Sequence, residues 1–185
     1  MQKLYTLIVL LGLSLAAGAQ TISFGSNAVD WANLGTANLE IGLSVGQHFS
    51  VVTGGRYNPW KFYSKRHDLP MYNNVKVAYA GVRYWPWYVF SGWWVGLKGQ
   101  YGQFMQGGFW RPMLEESTAV GGVVSGGYTW MLHKHLNLEF GLGLAAGRYT
   151  EYSRYQCTDC MDLITSGPRN YFQFDDLVIS LVYVF

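Results

Sequence analysis

Asp175-Asp176-Leu177-Val178-Ile179-Ser180-Leu181-Val182-Tyr183-Val184-Phe185 closes the chain, and its side chains sort into two sets. Leu177, Ile179, Leu181, Tyr183 and Phe185 occupy every second position, while Asp176, Val178, Ser180, Val182 and Val184 fill the positions between. A period of two belongs to a β-strand whose two faces meet different surroundings. Upstream the same period recurs in segment after segment, each bounded by a turn signal.

Residues 1–19 read as a secretory signal: Lys3 supplies the charge, 4–15 the apolar run, and Ala17-Gly18-Ala19 the small-residue cleavage site before Gln20. Residues 20–185 are then the mature domain. Removing the signal leaves 166 of the 185 residues, with 12 basic and 11 acidic side chains and a net charge of +1. That balance implies neither a nucleic-acid partner nor a polyacidic tail. A chain of this size makes one domain, and 23 Gly with 17% aromatic but 13% charged residues is unusual for a soluble one. No mature segment has about 18 consecutive apolar residues, which excludes a transmembrane helix but not alternating strands.

Eight alternating segments are expected: 22–34, 37–46, 49–60, 75–85, 90–104, 118–132, a seventh from 136, and the C-terminal one. Alternation in the first is broken at Asn27 and Asp30, so its faces are unassigned. The links at 46–47, 85–88 and 132–135 are short, whereas 61–74, 106–116 and 151–171 are long. Outer-membrane barrels have short periplasmic turns and longer extracellular loops. The pattern predicts an all-β fold, an eight-stranded antiparallel up-and-down transmembrane β-barrel with both ends in the periplasm and residence in the cell outer membrane.

The charges choose the faces. Glu40, Arg56, Arg83, Lys98 and Glu139 all fall among Gly, Ala, Ser and Asn, and eight strands leave an interior just wide enough for side chains. These five are expected to form a paired ion network that plugs the lumen rather than a gated conduction path, because an unpaired ion in a dry interior is very costly. Aromatic residues gather near strand ends: Tyr84, Trp85, Trp87, Tyr128, Trp130 and Phe185 at the proposed periplasmic rim, Trp31, Tyr57, Trp60, Tyr101 and Tyr149 at the other. An interfacial girdle is expected at each level.

Cys157 and Cys160 share the last long loop, where the spacing allows a local disulfide, free thiols, or half a metal or redox site; a loop disulfide is the expectation. His48-Phe49-Ser50 matches the His-x-Ser letters of one type of lipid-modifying barrel enzyme, but its place beside the 46–47 turn puts it in the wrong leaflet. His133-Lys134-His135 lies in a tight turn with no third ligand near in sequence. No catalytic residue, metal or cofactor is therefore expected. In the loops, Lys61, Lys65, Arg66 and His67 form a basic surface and Phe109-Trp110-Arg111-Pro112-Met113 an apolar one, either of which can anchor a partner.

Tyr183 and Phe185, two positions apart at the end of the last strand, resemble the terminal signal by which the barrel assembly machinery recognises bacterial outer-membrane barrels for insertion. Tyr57-Asn58-Pro59-Trp60, Arg83-Tyr84-Trp85, 127–132 (Gly-Tyr-Thr-Trp-Met-Leu), Leu136-Asn137-Leu138-Glu139, Tyr155-Gln156-Cys157 with Cys160, and 180–185 together resemble a Bacteroidota family of small outer-membrane barrels catalogued as a domain of unknown function. Some of its members are encoded near fimbrial genes. The resemblance implies a barrel among outer-membrane lipid and carries no activity. The expectation is a non-enzymatic accessory that docks or assembles surface structures, fimbrial ones included, through its loops. The alternatives are a lipid-modifying enzyme and a small channel.

Overall fold

The computed structural model describes residues 22–64, 69–108, 113–158 and 162–185, with the backbone alone at 62–64 and 69–70. The expected signal segment lies outside the described residues. The elements are β1 (Ile22–Asn27), α1 (Ala28–Ala32), β2 (Ala37–Ser44), β3 (Phe49–Asn58), β4 (Lys61–Ser64), β5 (Leu69–Tyr84), β6 (Gly92–Gly107), β7 (Leu114–His133), β8 (Leu136–Tyr155), β9 (Leu163–Ser166) and β10 (Arg169–Val184). No helix of the described residues is long and apolar enough to cross a membrane.

Eight antiparallel strands, β1, β2, β3, β5, β6, β7, β8 and β10, pair in chain order and close on themselves, because β10 bonds both to β8 and to β1. The expected eight-stranded antiparallel barrel is the fold. Strands β4 and β9 lie off the ring, pairing with the outer parts of β5 and β8. One end of the barrel, here the terminal end, holds the start of β1 and the finish of β10; the other is the loop end.

The alternation sets the wall. On β2 Leu39 and Leu43, on β6 Trp93, Val95 and Leu97, and on β10 Leu177 and Leu181 are exposed on the outer surface. Ser50, Asn58, Ser125, Asn137 and Ser180 are buried inside. On β1, left unassigned by sequence, Ile22 and Phe24 face out and Ser23 and Asn27 face in.

Two expected spans are corrected. The segment 22–34 is not one strand: it stops at Asn27, whose side chain accepts the Val29 N–H at 3.1 Å and caps α1. Asn27 also replaces the lost ladder, donating to the Leu177 carbonyl and accepting the Ile179 N–H across the β1–β10 seam. Second, much of the expected long loops at 61–74, 106–116 and 151–171 is strand. β7 and β8 reach 20 residues each, against 6, 8 and 10 in β1, β2 and β3. The barrel is thus tall on one side and low on the other, where α1 sits.

At the terminal end Trp85, Phe90, Trp94, Val182 and Val184 form a buried apolar plug. Trp85 is a correction to the expected girdle: it keeps the inward parity of Arg83 two residues before it and donates to Ser50 Oγ at 3.0 Å. Trp94 fits because its ring lies against Gly127 and Gly141, where a Cβ would stand 2.7 and 2.9 Å from the indole. Tyr84, Trp87, Tyr128, Trp130 and Phe185 are exposed at this end, as are Trp31, Tyr57, Trp60 and Tyr101 at the other.

Trp85→Ala should lower the unfolding free energy by about 3–5 kcal/mol, read by urea unfolding of the refolded barrel. A loss under about 1 kcal/mol would show that the plug does not hold the terminal end together.

Candidate functional site

Directly above the plug, the Arg83 guanidinium lies 4.3 Å from the Trp94 ring. It bridges Glu40 Oε1 at 2.7 Å and Glu139 Oε1 at 3.0 Å, so β5 is tied across the lumen to β2 and β8. Tyr79 donates to Glu40 Oε2 at 3.1 Å, and the Lys98 ammonium stands 4.8 Å from the Tyr79 ring. Lys98 pairs with Asp176, whose other oxygen takes Arg56 at 2.9 Å. Arg56 in turn reaches Asp30 of α1 at 3.3 Å.

All five charges that sequence placed on the inner face therefore meet in two linked clusters, joined by Asp176 and Asp30. The fit is tight, with a cavity of about 20 Å³ left among these side chains. Arg83, Lys98, Glu139 and Asp176 are each at most 4% exposed, so removing one partner would strand a buried charge at a cost of about 3–5 kcal/mol. Burial pushes the Asp30 carboxyl above its ordinary value, against the pull of Arg56.

Beyond this layer the lumen widens into a cavity of about 510 Å³ at the loop end, lined on one side by α1 and on the other by the tall strands. Two β-bulges shape it. In β10 the register slips between Phe174 and Asp176, so Asp175 is the extra residue; two consecutive aspartates then serve the interior. Asp176 joins the ion network and Asp175 lines the cavity, accepting Gln100 Nε2 at 2.8 Å. In β8 the slip falls opposite Thr118/Ala119, and Tyr149 and Tyr152 both line the cavity. Tyr149, expected in an outer girdle, packs instead 4.8 Å from Tyr171 and 5.8 Å from Tyr152. The Tyr171 hydroxyl lies over Gly121 and Gly147, where a Cβ would approach it to 2.2 and 2.8 Å.

Arg169 at the rim lays its guanidinium 3.9 Å from the Tyr152 ring and 5.4 Å from Tyr149. The buried hydroxyls of Tyr152 and Tyr171 have no hydrogen-bond partner among the described residues. An unsatisfied buried group of this kind costs about 1–3 kcal/mol.

Asp30, Asp175, Asp176, Arg169 and the three tyrosines were missed as site residues by sequence reasoning. Asp176 was recoverable, since it shares its parity with Val178 and Ser180. Asp175 and Tyr152 were not, because a bulge reverses parity.

The remaining candidates have other surroundings. His48 Nδ1 lies 3.0 Å from the Trp85 carbonyl and Ser50 Oγ accepts the Trp85 indole, so both letters of the His-x-Ser match hold the plug. His135 Nδ1 meets the Val184 carbonyl at 2.9 Å and stacks on Tyr183. No group of three or more His, Cys, Asp or Glu among the described residues is arranged to hold a metal. Cys157 is disulfide-bonded, while Cys160, the other cysteine of the chain, lies outside the described residues. So do Lys65, Arg66, His67 and 109–112. Tyr183 and Phe185 are exposed at the terminal end with ring centroids 4.7 Å apart, and Phe185 meets Phe24 across the closing seam.

These features define a small closed β-barrel with a charge-paired, plugged lumen and a cavity at one mouth. The chain belongs to the DUF3575 family, proteins of unknown function, whose model matches residues 5–185. No curated protein and no solved structure matches it.

Arg83→Met should cost about 3–5 kcal/mol of stability, because Glu40 and Glu139 lose their shared cation. Adding Glu139→Gln should restore part of that loss in the same urea titration. Strictly additive losses would contradict the pairing.

Proposed function

We propose that the protein is a non-enzymatic outer-membrane barrel, shut to ions, that docks a surface partner at its loop end. One observation carries the reading: a closed eight-stranded wall is apolar on its outer face, while a large interior cavity lies at the loop end. Closure leaves no unpaired backbone edge, which is the condition for strands to lie in lipid. Exposed Leu, Val and Phe on that wall would be a liability in water and are ordinary in hydrocarbon. Aromatic residues exposed at both ends suit the two interfaces.

In this orientation the terminal end faces the periplasm and Tyr183 and Phe185 present the insertion signal to the assembly machinery. The tall strands β5 to β8 carry the loops beyond the membrane. A plugged lumen with a built, polar cavity at the outside mouth suits recognition better than passage. The partner is a surface component, and a fimbrial protein falls within that class. An accessory that anchors or assembles such a component requires no catalytic group of its own.

The protein should fractionate with outer membrane and change electrophoretic mobility on heating; recovery as a soluble periplasmic protein would contradict the reading. Pull-down from intact cells should lose its partner when residues 64–69, 108–113 and 157–162 are replaced by short Gly-Ser turns. Unchanged capture by a variant that still shows the heat-dependent shift would also contradict it.

A further inference from the structure

We infer that the loop-end cavity binds an acidic saccharide, a sugar ring bearing a carboxylate, with Arg169 holding the carboxylate and the floor holding the hydroxyls. The inference rests on the outward orientation of the loop end for its biological meaning, but the binding site stands on its own geometry.

Two arginines line the cavity, and they differ in what they do. Arg56 is committed to Asp30 and Asp176. Arg169 forms no ion pair with a described residue; it is exposed at the rim and held flat by Tyr152 and Tyr149. Stacking fixes the plane of a guanidinium while leaving its N–H edge to face a ligand, and that fork matches a carboxylate in two parallel hydrogen bonds.

Deeper in, the lining changes character. Gln100 offers a neutral donor and acceptor, and Asp175 beside it adds a carboxylate that no cation pairs among the described residues. A second carboxylate would be repelled there, whereas a sugar hydroxyl can donate to Asp175 and accept from an amide. Glu115 also lines the rim, but its carboxylate is held by Arg154, so among the described residues Arg169 is the unpaired charge at the rim and Asp175 the unpaired charge at the floor, which orients a ligand carrying one anion and several hydroxyls.

Tyr152 supplies a second, independent pointer. The residue is 4% exposed and lines the cavity together with Tyr149 and Tyr171, which gives the site an aromatic wall. The C–H face of a sugar ring can rest against these tyrosine rings. The volume of about 510 Å³ lies within the range of small-ligand clefts. Inorganic phosphate would meet Arg169 but leave the floor unsatisfied.

The test is titration of the full chain, refolded in detergent, with glucuronate- and galacturonate-containing disaccharides, matched neutral disaccharides and inorganic phosphate, read by calorimetry and saturation-transfer NMR. A uronate should bind at least about ten-fold more tightly than its neutral match or phosphate. Arg169→Gln should reduce it to the neutral level, and Tyr152→Leu, which removes the ring that holds the guanidinium flat, should weaken it about three- to ten-fold, with both variants still heat-modifiable. No uronate binding at concentrations of about 10 mM, equal binding of the neutral sugar or phosphate, or an unaffected Arg169→Gln would each overturn the inference. Competition by a soluble polyuronide or by lipopolysaccharide vesicles identifies whether a free or a lipid-borne glycan is the source. Failure here leaves surface docking intact, and failure of the fractionation or pull-down leaves this binding result standing.

Discussion

Arg83 holds Glu40 on one side of the lumen and Glu139 on the other, and Asp176 does the same for Arg56 and Lys98. Between them these ion pairs join β2, β3, β5, β6, β8 and β10, six of the eight strands of the ring. An eight-stranded barrel has no core in the ordinary sense, only a narrow column of inward side chains. Charges placed in that column must pair, and once paired they cross-link walls that the backbone ladder connects only to their neighbours. The apolar plug below and the cavity above are both fitted to this layer. Trp94 lies under the Arg83 guanidinium, and Arg56 and Asp30 line the cavity.

Much of this was readable in the chain because a strand in a wall obeys parity. Leu136 to Leu144 against Asn137 to Ala145 could be sorted without coordinates, and the five charges fell on the small-residue face for the same reason. Parity fails where the backbone stops being a regular strand. Trp85 and Tyr149 are not such places: Trp85 shares the inward parity of Arg83 and Tyr149 that of Ala145, so assigning them to a girdle by residue type overrides the alternation, and one plugs the lumen while the other lines the cavity. Asp175 is the clearest case of parity failing: counted back from the chain end, strict alternation puts it outside with Leu177, and the bulge brings it in next to Asp176. Asp30 depends on α1, whose five residues carry too little periodic signal to be separated from a strand.

The unequal heights of the strands link the fold to the proposed role. Three short strands and α1 leave one side of the mouth low, while β7, β8 and β10 raise the opposite wall that carries Tyr149, Tyr152, Tyr171 and Arg169. Residues that sequence treats as loop are thereby held on paired strands, and a site on strands is positioned more firmly than one on free loops. The proposed surface docking and the proposed saccharide binding draw on the same end of the molecule, but on separate features: the loops in the first case, the cavity between tall strands in the second.

The central claim is that paired charges and the aromatic plug close the lumen. Planar-bilayer recording of the purified, refolded protein tests it most directly. The wild-type barrel should insert without steady ionic current across the physiological range of voltage. A stable single-channel conductance from wild-type protein would contradict the account, since the lumen would then be a path and the ion network its lining.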